Sequence, residues 1–204
     1  MRCGTWTRAA ALLFAALTAP KARAEWHVVA SEAGVEVSQE EVPGRSLPRF
    51  RGIGEVDADP DRIVEIIRDV PRQCEWMPDC SESRVVRNEG ESELLFYRST
   101  DAPWPISDRD VLLRSELRVL APGREILITF HAVDDPAVPP RDGHVRMTRC
   151  TGSYHITAIA PGSSRVEIEV DADPGGSFPA WLAARTSRDN PIRTIVNLRQ
   201  RVGL

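Results

Sequence analysis

The sequence predicts an α+β domain in which an antiparallel sheet of about seven strands packs against one long helix near the C-terminus. Alternating apolar and polar residues, for example over 111–120 and 165–172, indicate half-buried strands, and Pro-Gly pairs between such stretches indicate turns. From Phe178 onward the apolar residues recur at a period near 3.6. This change of period predicts that the sheet precedes a long amphipathic helix.

The chain from Trp26 is predicted to be a connector that leads into strands over residues 34–41 and 50–56. Gly52 and Gly54 lie on one face of the second strand. Glycine inside a strand indicates curvature or the close approach of another backbone. We therefore expect a curved sheet.

A helix is predicted to follow, with Asp59 as the N-cap, Pro60 in the first turn and an end near Asp69. Its buried stripe comprises Ile63, Val64, Ile66, Ile67 and Val70. Pro71 interrupts the pattern, so residues 72–77 are predicted to form a second, short helical turn.

The other predicted strands cover residues 83–87, 94–100, 111–120, 126–133, 145–159 and 165–172. Between two of them lies Ala102–Val111, which must be a structured loop because its two prolines fix φ and remove backbone donors. Asp108 can cap the backbone of this loop, and Arg109 is expected to pair with a neighbouring carboxylate. In the last helix, Pro191 predicts a kink or a break.

The N-terminal residues have the order typical of a secretory signal peptide. Arg2 and Arg8 accompany an apolar run over 9–19, and Ala22-Arg23-Ala24 follows. We therefore expect residues 1–24 to be removed and residues 25–204 to form an exported domain, periplasmic or secreted. The alternative is a short, uncleaved segment that is buried or lies at an interface.

Charge and residue usage exclude several classes of function. The expected mature chain has 22 basic and 30 acidic residues, a formal charge of −8, which argues against a nucleic-acid partner. Lys21 is the single lysine, so Schiff-base chemistry and a phosphate-loop lysine are excluded after cleavage. No histidines have metal-ligand spacing and no nucleophile motif occurs. We expect no metal, no cofactor and no catalytic residues.

Three cysteines remain in the expected mature chain. Cys74 and Cys80 could close a small disulfide loop in an oxidising compartment, or both could be buried free thiols. A metal site there lacks neighbouring ligands. Cys150 would be unpaired in the disulfide alternative.

Three motifs in register resemble the START family, the steroidogenic-acute-regulatory-protein-related lipid transfer domains. They are Glu75-Trp76-Met77-Pro78, the stretch Trp104-Pro105-Ile106-Ser107-Asp108-Arg109-Asp110, and Asp173-Pro174-Gly175-Gly176 followed by Pro179-Ala180-Trp181-Leu182. The resemblance extends from about Ala33 to Arg199.

That resemblance implies a helix-grip fold, in which a curved antiparallel sheet wraps around a long C-terminal helix and leaves a tunnel for one lipid or another large apolar molecule. The Pro-Trp-Pro loop would lie at the tunnel mouth. Tyr154 and Ala184 depart from the family pattern, where Trp and Asn are common. Both positions could touch a ligand, so the ligand class does not transfer.

The predicted ligand-binding residues are Trp76, Tyr97, Trp104, Leu113, Ile128, Phe130, Tyr154, Ile156, Val170, Phe178, Trp181, Leu182 and Arg185. The tryptophans either line or gate the tunnel or pack the loop and helix onto the sheet. The tyrosine hydroxyls either meet a polar head group or bond to backbone carbonyls. Arg185 either meets an anionic head group or is solvated.

The main functional hypothesis is an exported, monomeric lipid-binding or lipid-transfer protein that makes transient membrane contact. The alternative is an enzyme of the same superfamily, such as a polyketide cyclase or aromatase. It would need an acid or base in the pocket, for which Tyr97, Tyr154 and Asp108 are candidates. A weaker alternative is a protein-binding module with a large exposed apolar patch.

Overall fold

A computed structural model describes residues 25–204, so the predicted signal peptide lies outside the described residues. The strands are β1 (His27–Glu32), β2 (Val35–Glu40), β3 (Arg49–Val56), β4 (Cys80–Asn88), β5 (Glu93–Thr100), β6 (Asp108–Ala121), β7 (Glu125–Ala132), β8 (His144–Arg146), β9 (Arg149–Ala160) and β10 (Ser163–Asp173). The helices are α1 (Pro60–Arg68), a 3₁₀ helix (Val70–Glu75) and α2 (Ala180–Val202).

These strands form one curved, open sheet in the order β1-β2-β3-β10-β9-β7-β6-β5-β4, with β8 beside β6. Every pairing is antiparallel except that of β8 with β6. The prediction of a curved antiparallel sheet with a long C-terminal helix is therefore confirmed, although the described residues form ten strands, two more than the eight stretches predicted as strands.

The first extra strand is β1, which replaces the predicted connector after Trp26. It pairs with β2, from His27 opposite Gln39 to Glu32 opposite Val35. Both of its ends are exposed, so its residues lack the strong alternation that marks a half-buried strand. Tertiary pairing decides its conformation.

The second extra strand arises because the predicted strand over 145–159 is divided. Residues 144–146 form β8, which runs parallel to the start of β6, and β9 begins at Arg149. Between them the N–H of Met147 donates to the carbonyl of Asp110, 2.8 Å away. This bond lets the chain change neighbours without breaking the sheet.

The first helix agrees with its prediction, with Pro60 in its first turn and its apolar stripe buried. Asp59 occupies the N-cap position, but its side chain accepts a hydrogen bond from the N–H of Gly162 (2.9 Å) and does not cap the helix. The second helical turn is displaced by two residues from the predicted 72–77.

The sequence predicts a kink or a break at Pro191. Helix α2 continues through this residue, so the alternative of a break is wrong. Pro191 is buried against Gly52 of β3, where a Cβ atom would lie 2.4 Å from the Cβ of Pro191. Beyond this contact Ile195 and Leu198 are fully buried against the sheet. Among residues 25–204, no helix has the length and hydropathy of a membrane span.

Candidate functional site

The two halves of α2 relate differently to the sheet. The C-terminal half packs tightly, because Gly52 and Gly54 of β3 admit Pro191 and Ile195. The N-terminal half stands away from the sheet and encloses a cavity of about 700 Å³. This volume lies within the range of about 300–1,000 Å³ found for small-molecule sites.

Apolar side chains form most of the cavity wall. From the sheet these are Val111, Phe130, Ile168, Val170 and Ala172, and from the turn and α2 they are Phe178, Trp181 and Leu182. The sheet residues are alternate positions on their strands, so one face of each strand supplies the wall. The cavity can therefore accept an apolar molecule.

The floor of the cavity is shared with a second, deeper void of about 30 Å³. Met77, Arg98, Phe130 and Tyr154 border both spaces. The rings of Phe130 and Tyr154 are tilted at 45°, with centroids 5.9 Å apart. These four side chains thus separate the cavity from the closely packed core.

Seven of the predicted ligand-binding residues line the cavity: Phe130, Tyr154, Val170, Phe178, Trp181, Leu182 and Arg185. Leu113 and Ile128 border only the small void. Ile156 and Trp76 are buried in the core outside both spaces, and the carbonyl of Trp76 accepts a hydrogen bond from Asn197 of α2 (2.7 Å).

Tyr97 lies on the opposite face of the sheet from the cavity. Phe96 and Arg98 face the interior on β5, so the intervening Tyr97 points outward. It is buried there in a separate small cluster with Leu95, Leu112 and Val138. This placement gives Tyr97 no contact with the cavity.

Trp104 is 92 % exposed and does not line the cavity, although its neighbours Ala102 and Pro103 do. The loop is held by a hydrogen bond from the N–H of Ala102 to the carboxylate of Asp108 (2.8 Å), as expected for a capped loop. The indole therefore projects into solvent beside the cavity.

Among the described residues no carboxylate pairs with Arg109, so the prediction of such a pair is wrong. Its Nε and Nη2 donate to the carbonyls of Pro174 and Gly175, at 3.1 and 3.0 Å. The carboxylate of Asp110 instead receives two hydrogen bonds from Arg146, at 3.0 and 2.9 Å. Because strand residues alternate, Arg109 faces the cavity and its neighbour Asp110 faces the other side.

The disulfide between Cys74 and Cys80 is formed. It joins the 3₁₀ helix to β4, and the segment that it encloses contributes Met77, Pro78 and Asp79 to the cavity. Cys150 is a buried free thiol that also lines the cavity.

Most charged groups at the cavity already have partners. Arg193 donates to Asp79 at 2.6 and 2.8 Å, and Arg185 lies 3.8 Å from Asp189. Arg98 differs: within residues 25–204 no carboxylate lies within 4.0 Å of its guanidinium, and no protein group accepts a hydrogen bond from it.

The sequence interpretation missed Arg98 and Cys150. A usable signal for Arg98 existed, because Leu94, Phe96 and Arg98 occupy alternate positions of one strand. A charged residue in line with two buried apolar ones is unusual unless it has a partner or a function. Cys150 carries no comparable local signal.

Burial raises the pKa of the Tyr154 hydroxyl, and the nearby Arg98 charge opposes this effect without cancelling it. Burial likewise raises the pKa of the Cys150 thiol, again against the Arg98 charge. Both groups therefore stay protonated at neutral pH, and the Tyr154 hydroxyl can donate a hydrogen bond.

The fold and its enclosed cavity define a helix-grip protein, and comparison identifies the family. The START domain model matches residues 8–203, so this chain belongs to the START domain family. Its sequence is 32% identical over 176 residues to the uncharacterized protein PA1579 of Pseudomonas aeruginosa, covering 86% of this chain and 85% of that protein. START domain-containing protein 10 of Mus musculus is 27% identical over 82% of this chain, which spans 58% of that longer protein.

Solved structures agree with this assignment. A STAR-related lipid transfer protein from Xanthomonas axonopodis is 31% identical, with a TM-score of 0.80 over 88% of this chain and 99% of the other. The Zhui aromatase/cyclase from Streptomyces sp. R1128 is 12% identical, with a TM-score of 0.51 over 76% of this chain and 93% of the other. The latter similarity is one of fold alone.

Proposed function

We propose that this protein binds a lipid or another large hydrophobic molecule in the cavity beneath α2 and carries it through water. The observation that supports the proposal most directly is the cavity itself, about 700 Å³ with a largely apolar wall. The similarity to a STAR-related lipid transfer protein points the same way.

Burial of the apolar surface of the ligand is sufficient to hold the ligand in the cavity. Removing roughly 400 Å² of apolar ligand surface from water contributes about 10 kcal/mol at 25 cal/mol per Å². Part of this is offset by the loss of ligand freedom and by ordering of the cavity mouth. The remainder allows tight binding without a covalent bond.

The proposal includes export of the protein to the periplasm or the exterior. Two features support it: the signal-peptide pattern of residues 1–24 and the Cys74–Cys80 disulfide. Structural disulfides persist mainly in oxidising compartments. The proposed carrier is a monomer.

Loading and release would take place at a membrane surface. Trp104 and Trp181 are 92 % and 68 % exposed, and both lie on segments that border the cavity. Indole side chains favour the boundary between lipid and water. The proposed contact is transient, because the acidic chain gains little attraction from anionic membranes.

We do not extend the proposal to a cyclase or aromatase reaction. Such a reaction needs a group that accepts a proton in the pocket. Of the three candidates for this role, Tyr97 and Asp108 do not line the cavity, and burial raises the pKa of Tyr154, which makes it a poor base at neutral pH.

The test is purification from the native compartment under non-denaturing conditions, followed by mass spectrometry of the organic extract. A lipid in stoichiometric amount is the expected result. Val170→Trp fills the cavity and should abolish lipid recovery, whereas Thr157→Trp, on the outer face of β9, should leave it unchanged. Absence of any lipid, together with no binding of fluorescent fatty acid, phospholipid or sterol, would refute the proposal.

A further inference from the structure

Four arginines and three aspartates line the cavity. Two of these arginines, Arg185 and Arg193, lie beside aspartates, and Arg109 donates to backbone carbonyls. Arg98 alone among the four has neither kind of partner within residues 25–204. Within residues 25–204, Arg98 is thus the one cavity arginine that has neither a carboxylate within 4.0 Å nor a backbone carbonyl as acceptor.

Arg98 is half-buried and lies at the floor of the cavity, on the border with the deeper void. Its charge reaches Tyr154 and Cys150, where it favours the ionised forms. Tyr154 is 8% exposed, and its hydroxyl has no protein partner in the part of the chain that the structure describes. Two donors without protein partners in the described residues therefore lie on the floor of a cavity whose wall is mostly apolar.

Chemistry restricts what these donors can recognise. A guanidinium has five N–H donors and no acceptor, and its planar fork matches a carboxylate or a phosphate. An apolar ligand end that covered Arg98 would remove water from a charge and return nothing, which is costly. The arrangement favours an anionic group and disfavours a neutral one.

We propose that the ligand is an anionic lipid whose carboxylate or phosphate group is held by Arg98 and the Tyr154 hydroxyl at the cavity floor. The inference rests on the proposed carrier function and adds the chemical class of the ligand. The acyl part then lies against Val170, Phe178 and Leu182, nearer the mouth.

The first experiment compares head groups on one chain length. Hexadecanoic acid, hexadecyl phosphate and hexadecanol compete at pH 8 with the neutral fluorophore N-phenyl-1-naphthylamine for the purified wild-type protein. The acid and the phosphate should have dissociation constants about tenfold or more below that of the alcohol, since tenfold corresponds to about 1.4 kcal/mol. Equal dissociation constants for the three ligands would overturn the inference.

Variants then test whether Arg98 and Tyr154 cause the preference for anionic head groups. Arg98→Gln should raise the dissociation constants of the two anionic ligands by about tenfold and leave that of hexadecanol within about twofold. Arg98→Lys retains the charge and should keep most of the preference, while Tyr154→Phe should weaken both anionic ligands about threefold. A loss of affinity that is equal for all three ligands in folded Arg98→Gln would contradict the assignment.

Arg124→Gln is the matched control, because it removes the same charge from the exposed turn between β6 and β7. Its ligand preferences should equal those of the wild type. Thermal unfolding of each variant shows whether it is folded. If an Arg98 variant does not fold, the comparison of head groups on the wild-type protein still tests whether the cavity prefers an anionic ligand.

Two further measurements distinguish an anionic lipid from a small free anion and from a protein that binds no hydrophobic ligand. Acetate and inorganic phosphate have no acyl chain and should not compete at the concentrations where the lipids do; competition by them would contradict a lipid ligand. If neither the fluorophore nor any C16 ligand binds, the carrier function itself fails, which differs from binding without head-group preference.

Discussion

Arg109 and Phe178 are stacked, with the guanidinium carbon 4.5 Å from the centroid of the ring. The same guanidinium donates to the carbonyls of Pro174 and Gly175, so one buried side chain connects the start of β6 to the turn that precedes α2. The position of the helix start above the cavity depends on this connection.

We predict that Arg109→Met lowers the free energy of unfolding by about 2–4 kcal/mol, because several hydrogen bonds from a charged donor are lost. Urea denaturation measures this change. Hydrogen exchange should also become faster in the segment over 174–182. Arg124→Met, at an exposed turn, should stay within about 0.5 kcal/mol of the wild type. Unchanged stability and exchange in Arg109→Met would show that the connection has no structural role.

The contact between Gly52 and Pro191 predicts a graded pair of variants. A Cβ at position 52 would lie 2.4 Å from the ring of Pro191, whereas at position 54 the nearest atoms are side chains at 3.0 Å or more. Gly52→Ala should therefore lower the free energy of unfolding by about 1–3 kcal/mol, and Gly54→Ala by less, since overpacking costs this much when neighbours cannot move. Chemical denaturation of both variants tests the order, and the reverse order would contradict the packing argument.

The environment of Asp110 predicts that the protein loses stability in acid. Burial alone would raise the pKa of its carboxyl group, but hydrogen bonds from Arg146 and from the N–H of Arg141 outweigh burial, and the net pKa is lowered. A lowered pKa contributes stability above the unfolded-state value, about 3.9, and this stability is lost as the pH falls through the folded-state value. Stability should therefore decline below about pH 4.

Asp110→Asn should lower the free energy of unfolding by about 3–5 kcal/mol at pH 7, because it leaves the buried Arg146 without its counter-ion. The difference from wild type should shrink as the pH drops below about 4. Glu116→Gln removes an exposed pair with Arg118 and serves as the control, with little effect at pH 7. A constant Asp110→Asn difference from pH 7 to pH 3 is the contrary outcome.

The exposure of Trp104 predicts that its replacement slows lipid transfer without changing the stability of the fold. Because its side chain is 92 % exposed, Trp104→Ala should change the free energy of unfolding by less than about 0.5 kcal/mol. If the indole contacts membranes, the rate of fluorescent lipid transfer between vesicles should fall severalfold. Trp76→Ala, in the core, should instead cost about 3–5 kcal/mol of stability. An unaltered transfer rate in Trp104→Ala would exclude a membrane role for this residue.

The residues predicted to line the cavity show how far strand alternation can predict a binding site. Phe130 and Tyr154 were predicted from strand alternation and the structure places both at the cavity. The hydroxyl of Tyr97 makes it a candidate ligand partner by residue type, but its neighbours Phe96 and Arg98 face the interior on β5, so strand alternation directs Tyr97 away from the cavity. Exposure of Trp104 could not be predicted, since a loop side chain has no periodicity that fixes its direction.

The sequence by itself determined most of the strands and turns, the start of α1, the family and the long final helix, because these depend on residue spacing, short motifs and turn chemistry. It did not determine β1 or the division between β8 and β9, which depend on pairing with other strands. The tertiary structure alone decided that the N-terminal half of α2 stands off the sheet and that Arg98 has no partner in the protein. Both facts depend on contacts between segments far apart in the chain, such as Gly52 with Pro191, and no local pattern encodes the distance between such segments.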